Sequence, residues 1–280
     1  MESYNHRPVT AVEPIAPWLG GKRHLALHLA SIIAGIPHRT YVEPFMGMGG
    51  VFLRRSHAAP AEVINDINRD LVTLYRVAQR HPAALGDSFG RWTLSSREMF
   101  DQLKRTPPDV LTDIERAARF LYLQRLAFGG RTRNPSFGVD LGSGSRLRLQ
   151  QIQRQLDALH RRLDGVIIEC LPWPEVLDRY DRPETLFYLD PPYWGGEGDY
   201  GAGIFSRADF TALARRLAGI EGRFVLSIND TPETRQIFAG FHIEERTHTF
   251  TAGSKSGAGI EAHELIVRDR AEGSAGPLFG

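Results

Sequence analysis

Asp190-Pro191-Pro192-Tyr193 closes an apolar stretch at residues 185–189. A carboxylate at a strand end, a stiff proline pair and an aromatic ring together suit one chemical problem, methylation of an exocyclic amine on a nucleobase. Such an amine is a weak nucleophile, because its lone pair is delocalised into the ring. A carboxylate oxygen and a backbone carbonyl that both accept from the NH2 group orient it and favour a more tetrahedral nitrogen. Pro191 and Pro192 expose carbonyls, donate nothing and keep the turn rigid. Tyr193 offers a face for a flat ring. Positioning and fixed dipoles then supply most of the rate. A base inside a duplex must leave the stack to reach such a site. The bland alternative is a turn of the kind that Asp-Pro starts at the end of any strand.

A second cluster lies earlier, at Glu43-Pro44-Phe45-Met46-Gly47-Met48-Gly49-Gly50. Gly47 and Gly49 allow a tight turn and close approach of backbone to a ligand. Asp66 ends the following strand, where a carboxylate can accept hydrogen bonds from a ribose diol. Two cofactors fit, a dinucleotide or S-adenosylmethionine. The dinucleotide fingerprint wants a third glycine where Phe52 stands, which disfavours nicotinamide and flavin.

These groups need elements to hold them. Residues 40–43 read as a strand, 51–55 as the start of a helix, 61–64 as a second strand and 68–80 as an amphipathic helix. That is the opening of a doubly wound nucleotide-binding α/β unit. Residues 1–16 read as an irregular lead-in strap and 23–34 as a helix closed by Gly35 and Pro37. From 81 to 164 the pattern changes to helices at 95–105, 113–127 and 150–163, with a long polar loop at 128–146. Strands return at 166–169, 185–189, 224–228 and 263–267, with helices at 207–217 and 232–238. The expected fold is therefore α/β, a doubly wound Rossmann-like methyltransferase sheet with a mainly helical insertion. Residues 1–80 and 165–270 form the catalytic domain, 81–164 the insertion and 271–280 a flexible tail. Segments 195–203 and 252–259 read as mobile loops about the catalytic mouth.

Composition narrows the function classes. The chain has 280 residues, 42% hydrophobic and 24% charged, enough to bury a core without staples. Its single cysteine, Cys170, excludes an internal disulfide and a multi-cysteine zinc site, and no metal is expected. No signal peptide and no membrane span are expected, and the cytoplasm is the expected location. Net charge is only +1, so any surface for phosphates must be local. Between Arg116 and Arg162 ten arginines face two acids, although the whole chain has three lysines.

With these motifs in order, the sequence resembles the Dam-like (D12 class) DNA adenine methyltransferases of bacteria and phages, over about residues 15–268. The family's opening segment is matched by Trp18-Leu19-Gly20-Gly21-Lys22, and its glycine turn by residues 43–52. Asp66-Ile67-Asn68-Arg69-Asp70-Leu71, Asp190-Pro191-Pro192-Tyr193 and His263-Glu264-Leu265-Ile266 follow. The resemblance implies S-adenosylmethionine as cofactor, with Glu43, Pro44, Phe45, Gly47 and Gly49 around its methionine part and Asp66 on its ribose. It implies that Lys22 neutralises the methionine carboxylate while Trp18 lines that end. A segment before the catalytic strand, with Cys170 and Trp173, also contacts the cofactor. The insertion 81–164 corresponds to the family's target-recognition region and the stretch 128–138 resembles its recognition hairpin; Arg125, Arg131, Arg133, Asn134 and Arg146, with Lys255 in the loop 252–259, are the expected DNA contacts. Arginine content and length differ from the GATC readers, so that site is not carried over. The implied partner is double-stranded DNA, met by a monomer or by a dimer on a symmetric site, with a restriction endonuclease as a conceivable counterpart. Amine methylation of cytosine, methylation of RNA or of a protein glutamine, and a non-catalytic DNA-binding protein are the rival readings. Aspartate rather than serine or asparagine at position 190 favours adenine.

Overall fold

The computed structural model describes residues 4–90, 94–138, 142, 144–199, 201, 203–250 and 260–269. Seven strands form the central sheet: β1 (Thr40–Glu43), β2 (Ala61–Asn65), β3 (Ile167–Glu169), β4 (Thr185–Leu189), β5 (Arg223–Asn229), β6 (His242–Phe250) and β7 (Ile260–Arg268). Their order is β3-β2-β1-β4-β5-β7-β6. The first five are parallel, whereas β7 runs antiparallel between β5 and β6. A parallel strand covered on both faces reads as a continuous apolar run, and all five residues of β4 are buried.

Alternate residues of each strand enter two different cores, as the two-residue period of a strand requires. Tyr41, Leu186, Tyr188 and Val225 join the core of one face, with α1 (Ala26–Ala34) and α2 (Arg69–Arg80). Val42, Phe187, Leu189 and Leu226 join the other. The sheet is doubly wound, as the motif order predicts.

The segment between α2 and β3 folds into α3 (Pro82–Gly90), α4 (Arg97–Arg105), α5 (Asp113–Leu126) and α6 (Leu149–Arg162). Their apolar faces share the core of the α1/α2 side. Arg162 at the end of α6 donates to both oxygens of Glu62 in β2, at 2.7 and 3.2 Å, and Arg55 donates to the same carboxylate at 2.6 Å. The two guanidinium groups lie over Phe52 and Tyr41, each 3.8 Å from the ring centroid. This buried triad fastens the last insertion helix to the sheet. On the other face, α7 (Trp173–Tyr180), α8 (Arg207–Ala218) and α9 (Pro232–Ile237) cover the strands.

Several expectations need correction. The helix expected from residue 51 is a single 3-10 turn, Phe52–Arg54. Arg55 is drawn into extended backbone by its buried contact with Glu62, and His57–Ala58 then pairs with Arg7–Pro8 of the lead-in. Pro82, Gly86 and Gly90 hide α3 from a reading of the sequence, yet proline is tolerated in a first helical turn. Pro174 hides α7 likewise. The charges of β6 mask it as a strand, although they suit an edge position. The tail 271–280 and the loop 252–259 lie outside the described residues. Among the described residues, no helix is long and apolar enough to cross a membrane.

Candidate active site

Strand order reverses between β1 and β4, and in an open α/β sheet ligands bind beyond the carboxyl ends of the strands at such a point. Glu43 ends β1, and Asp190 follows β4 beside it. A cleft of about 1990 Å³ opens there, lined by Trp18, Lys22, Glu43, Pro44, Phe45, Gly47, Asp66, Trp173, Asp190 and Pro192 among others. It exceeds the usual range for one small ligand, about 300–1,000 Å³, and leaves room for a second.

Asp190 is fixed from several sides. Lys22 Nζ lies 2.7 Å from its Oδ1, and Ser227 Oγ donates to the same oxygen at 3.1 Å. Burial pushes its carboxyl up to about 6; Lys22 and Ser227 pull against that shift and Glu264 adds to it. Lys22 is 4% exposed and also lies 3.5 Å from Glu264 Oε2. Its ammonium donates to the Tyr193 hydroxyl and sits 4.2 Å from that ring's centroid. Two carboxylates and a phenol thus lie about the Lys22 ammonium, which stands on the cleft lining with Trp18, the residue expected beside it at the methionine end. Asn229 clamps the loop beyond, accepting from Trp194 N at 2.8 Å and donating to Trp194 O at 3.0 Å.

The glycine turn is anchored by the acid beyond it. Gly47 N donates to Asp66 Oδ2 at 2.9 Å, and Asn68 N donates to Oδ1 at 2.8 Å. Burial raises the Asp66 carboxyl to about 6 against these backbone donors. Gly47 has φ +51°, and a Cβ there would lie 2.6 Å from Trp18 Nε1. Only glycine lets the turn lie against the indole. Gly49, at φ +70°, is closed in by Met46 and Leu53 and does not line the cleft. Asn65 ties this turn to the segment before β4: its amide donates to Pro44 O and Leu171 O, and its Oδ1 accepts from Leu171 N. That brace brings Trp173, which is 8% exposed, to the cleft wall. Cys170 stays outside the lining, its thiol 4.0 Å from Ile67 O and pushed up by burial.

The expected DNA contacts separate into two groups. Arg131, Arg133 and Asn134 are exposed in the loop after α5, and Arg133 Nη1 reaches Gly198 O, 3.0 Å away in the loop that follows Tyr193. The stem of their loop is closed by Phe128 N to Ser136 O at 2.8 Å and Gly138 N to Leu126 O at 2.7 Å. Arg146 is half-buried on the cleft wall, 3.4 Å from Ala127 O. Arg125 differs from the expectation. It is 6% exposed and donates to Ile15 O, Gln155 Oε1 and Arg146 O, so its guanidinium is committed to the fold. Burial lowers its pKa to about 10. Lys255 lies outside the described residues.

Sequence reasoning did not single out Ser227, Tyr188, Asn65, Asn229 or Gln124. Gln124, 2% exposed, donates to Pro17 O at 2.8 Å and Gly130 O at 2.7 Å, which joins the Trp18 segment to the loop carrying Arg131. Asn65 and Asn229 gave one signal, a polar residue at the end of an apolar strand. The others gave none, because their partners are distant in sequence.

The sequence is similar to known proteins over most of its length. The family model described as D12 class N6 adenine-specific DNA methyltransferase matches residues 18–252. A type II methyltransferase of Paramecium bursaria Chlorella virus NC1A is 24% identical, covering 92% of this chain and 100% of its own. A second type II methyltransferase, from Lactococcus lactis subsp. cremoris, is 26% identical, covering 91% of this chain and 95% of its own. A DNA adenine methylase of Vibrio cholerae is 27% identical, covering 86% and 90% respectively.

Proposed function

Because the chain belongs to the D12 class N6 adenine-specific DNA methyltransferases, we propose that its methyl donor is S-adenosylmethionine and that Asp190 orients the amine of an adenine turned out of the duplex. The protein is a transferase that methylates adenine in DNA. The residues present fit this donor. Asp66 offers carboxylate oxygens at the end of β2 where a ribose would lie, and Gly47 and Trp18, packed so closely that a Cβ would strike the indole, form one wall of the cleft. Glu43, Pro44, Phe45 and Trp173 close the walls. When bound, the donor supplies an electrophilic sulfonium methyl.

The observation that carries the reading is the grip on Asp190 at the end of β4, beside the point where strand order reverses. The carboxylate would accept a hydrogen bond from one N6–H, and the Pro191 carbonyl a hydrogen bond from the other. The adenine lone pair is thereby turned out of the ring plane. As the N6–CH3 bond forms and the sulfonium–methyl bond breaks, leaving a neutral thioether, positive charge would grow on N6 next to a carboxylate that is already in place. The excess proton leaves N6 towards that carboxylate. Lys22 keeps Asp190 ionised near neutrality despite its burial. Tyr193 stacks on the purine through the ring face away from Lys22. Residues 1–80 and 165–270 do this chemistry, while 81–164, with Arg131, Arg133 and Asn134, meet duplex DNA.

Methyl transfer from tritiated S-adenosylmethionine to duplex DNA, followed by digestion to nucleosides, tests this. Label is expected in N6-methyladenine. Asp190→Ala should lower turnover about 10²–10³-fold while cofactor and DNA binding persist. Label in cytosine, or normal turnover by Asp190→Ala, would overturn it.

A further inference from the structure

Among the described residues, both side-chain donors that meet Asp190 converge on one of its two oxygens. Lys22 Nζ is 2.7 Å and Ser227 Oγ 3.1 Å from Oδ1. Ser227 sits in the middle of β5 and is 0% exposed. Tyr188, two residues before Asp190, holds its hydroxyl 2.9 Å from Ser227 Oγ and is 1% exposed. The direction of this chain of hydroxyls follows from the chemistry. An ionised carboxylate only accepts, so the single Ser227 proton goes to Asp190, and Ser227 must accept from Tyr188. Tyr188 on β4 and Ser227 on β5 face the same side of the sheet.

We propose that Ser227, backed by Tyr188, is a positioning residue that divides the oxygens of Asp190: Oδ1 belongs to the protein, and Oδ2 is presented to the adenine amine. The inference rests on the reading of Asp190 as the substrate acceptor. A carboxylate turns easily about its last bond, because that torsion has no sharp wells. Lys22 cannot fix the angle, since its charge rides on a flexible four-carbon stem. A short side chain on a buried strand can. Ser227 therefore sets the plane in which Oδ2 meets the N6–H, while Lys22 supplies charge.

Two consequences separate this role from a packing role. Loss of the Ser227 hydroxyl misaligns Oδ2, so turnover falls while substrate affinity stays. It also removes a donor to the ionised form, so protonation of Asp190 moves to higher pH. The other groups facing Asp190 are Lys22 from the N-terminal segment, Glu43 from β1, Tyr188 from β4 and Glu264 from β7, with Tyr193 reached through Lys22. None of them changes in the variant.

The test measures methylation of unmethylated plasmid DNA by the full chain from pH 5 to pH 9. Ser227→Ala should lower kcat by about 10–100-fold, leave KM for DNA and for S-adenosylmethionine within about twofold, and shift the acidic limb of the kcat profile upward. Tyr188→Phe should shift the limb in the same direction by less, and it carries the test if Ser227→Ala does not fold. Wild-type kcat and an unmoved limb in the folded variant would overturn the inference. Asp190→Asn, run alongside, keeps the two questions apart. If it turns over normally, the reading of Asp190 itself has failed. If it is inactive while Ser227→Ala behaves as wild type, only the role of Ser227 has failed.

Discussion

Glu43 and Asp190 are neighbouring carboxyls at adjacent strand ends, and their surroundings drive them apart. Burial pushes Glu43 up to about 8, opposed by the Tyr41 hydroxyl 2.7 Å away and by Arg55, with Asp190 adding to the rise. Asp190 reaches only about 6, because Lys22 and Ser227 favour its charge. At neutral pH one is a carboxylic acid and the other a carboxylate, the split that acid–base sites exploit. Methylation should accordingly fall as pH drops through about 6, read from the kcat profile of the wild type. Glu43 bears on stability. Its folded pKa lies above the unfolded value of 4.5, so its contribution is complete below that pH and is lost as pH rises through about 8. Glu43→Gln lacks this loss. Urea unfolding at pH 5 and pH 8.5 should find the variant gaining on the wild type by on the order of 4 kcal/mol at the higher pH; an equal difference at both would refute the linkage. Asp190 and Asp66 were legible in the sequence because each ends an apolar strand, where the backbone itself aims the side chain. Ser227 was not. Its importance comes from a neighbour 37 residues away across the sheet, and an alternating strand pattern says nothing of pairing order.

Strands and turns were more legible than the contacts between them. The β4 boundaries follow from the apolar run, and α2 announces itself through Asn68, which caps it by accepting from Asp70 N and Leu71 N. The glycine turn was visible as spacing, yet its reason lies in Trp18, far earlier in the chain and pressed on Gly47. That pairing makes a prediction at the level of the turn. Gly47→Ala should weaken binding of the demethylated cofactor by at least about tenfold, since left-handed backbone costs an alanine roughly 1–2 kcal/mol and the indole must also move. Calorimetry on Gly47→Ala, Trp18→Ala and the double variant checks it. The three atoms nearest to a methyl at position 47 all belong to the indole, so removing it relieves the closest clashes and the two losses should fall short of additive. Additive losses would mean that the turn and the indole act independently.

Across the whole molecule, the arginine-rich middle resolves into two jobs that charge counting merged. Arg125 and Arg162 are interior residues, 6% and 3% exposed, that bind the insertion to the lead-in and to the sheet. Arg131 and Arg133 stand on the surface beside the loop that follows Tyr193. Arg125→Ala should therefore cost stability, about 1–3 kcal/mol for the buried acceptors it abandons, with DNA affinity following only as the fold is lost. Arg131→Ala and Arg133→Ala should leave melting unchanged. A guanine contact would appear as about 1–3 kcal/mol of lost discrimination between sequences, and a phosphate contact as uniform weakening with a shallower salt slope. If neither changes, these side chains do not touch DNA. The loop that carries them is joined at its stem by backbone hydrogen bonds between residues 126–128 and 136–138, and backbone partners do not depend on which side chains lie between. If residues 131–135 meet DNA as proposed, the stem works as a socket and that stretch as an interchangeable bit: redrafting it should change the target sequence while the reaction centre keeps its rate, which methylation of a panel of duplexes by loop-exchanged variants would show.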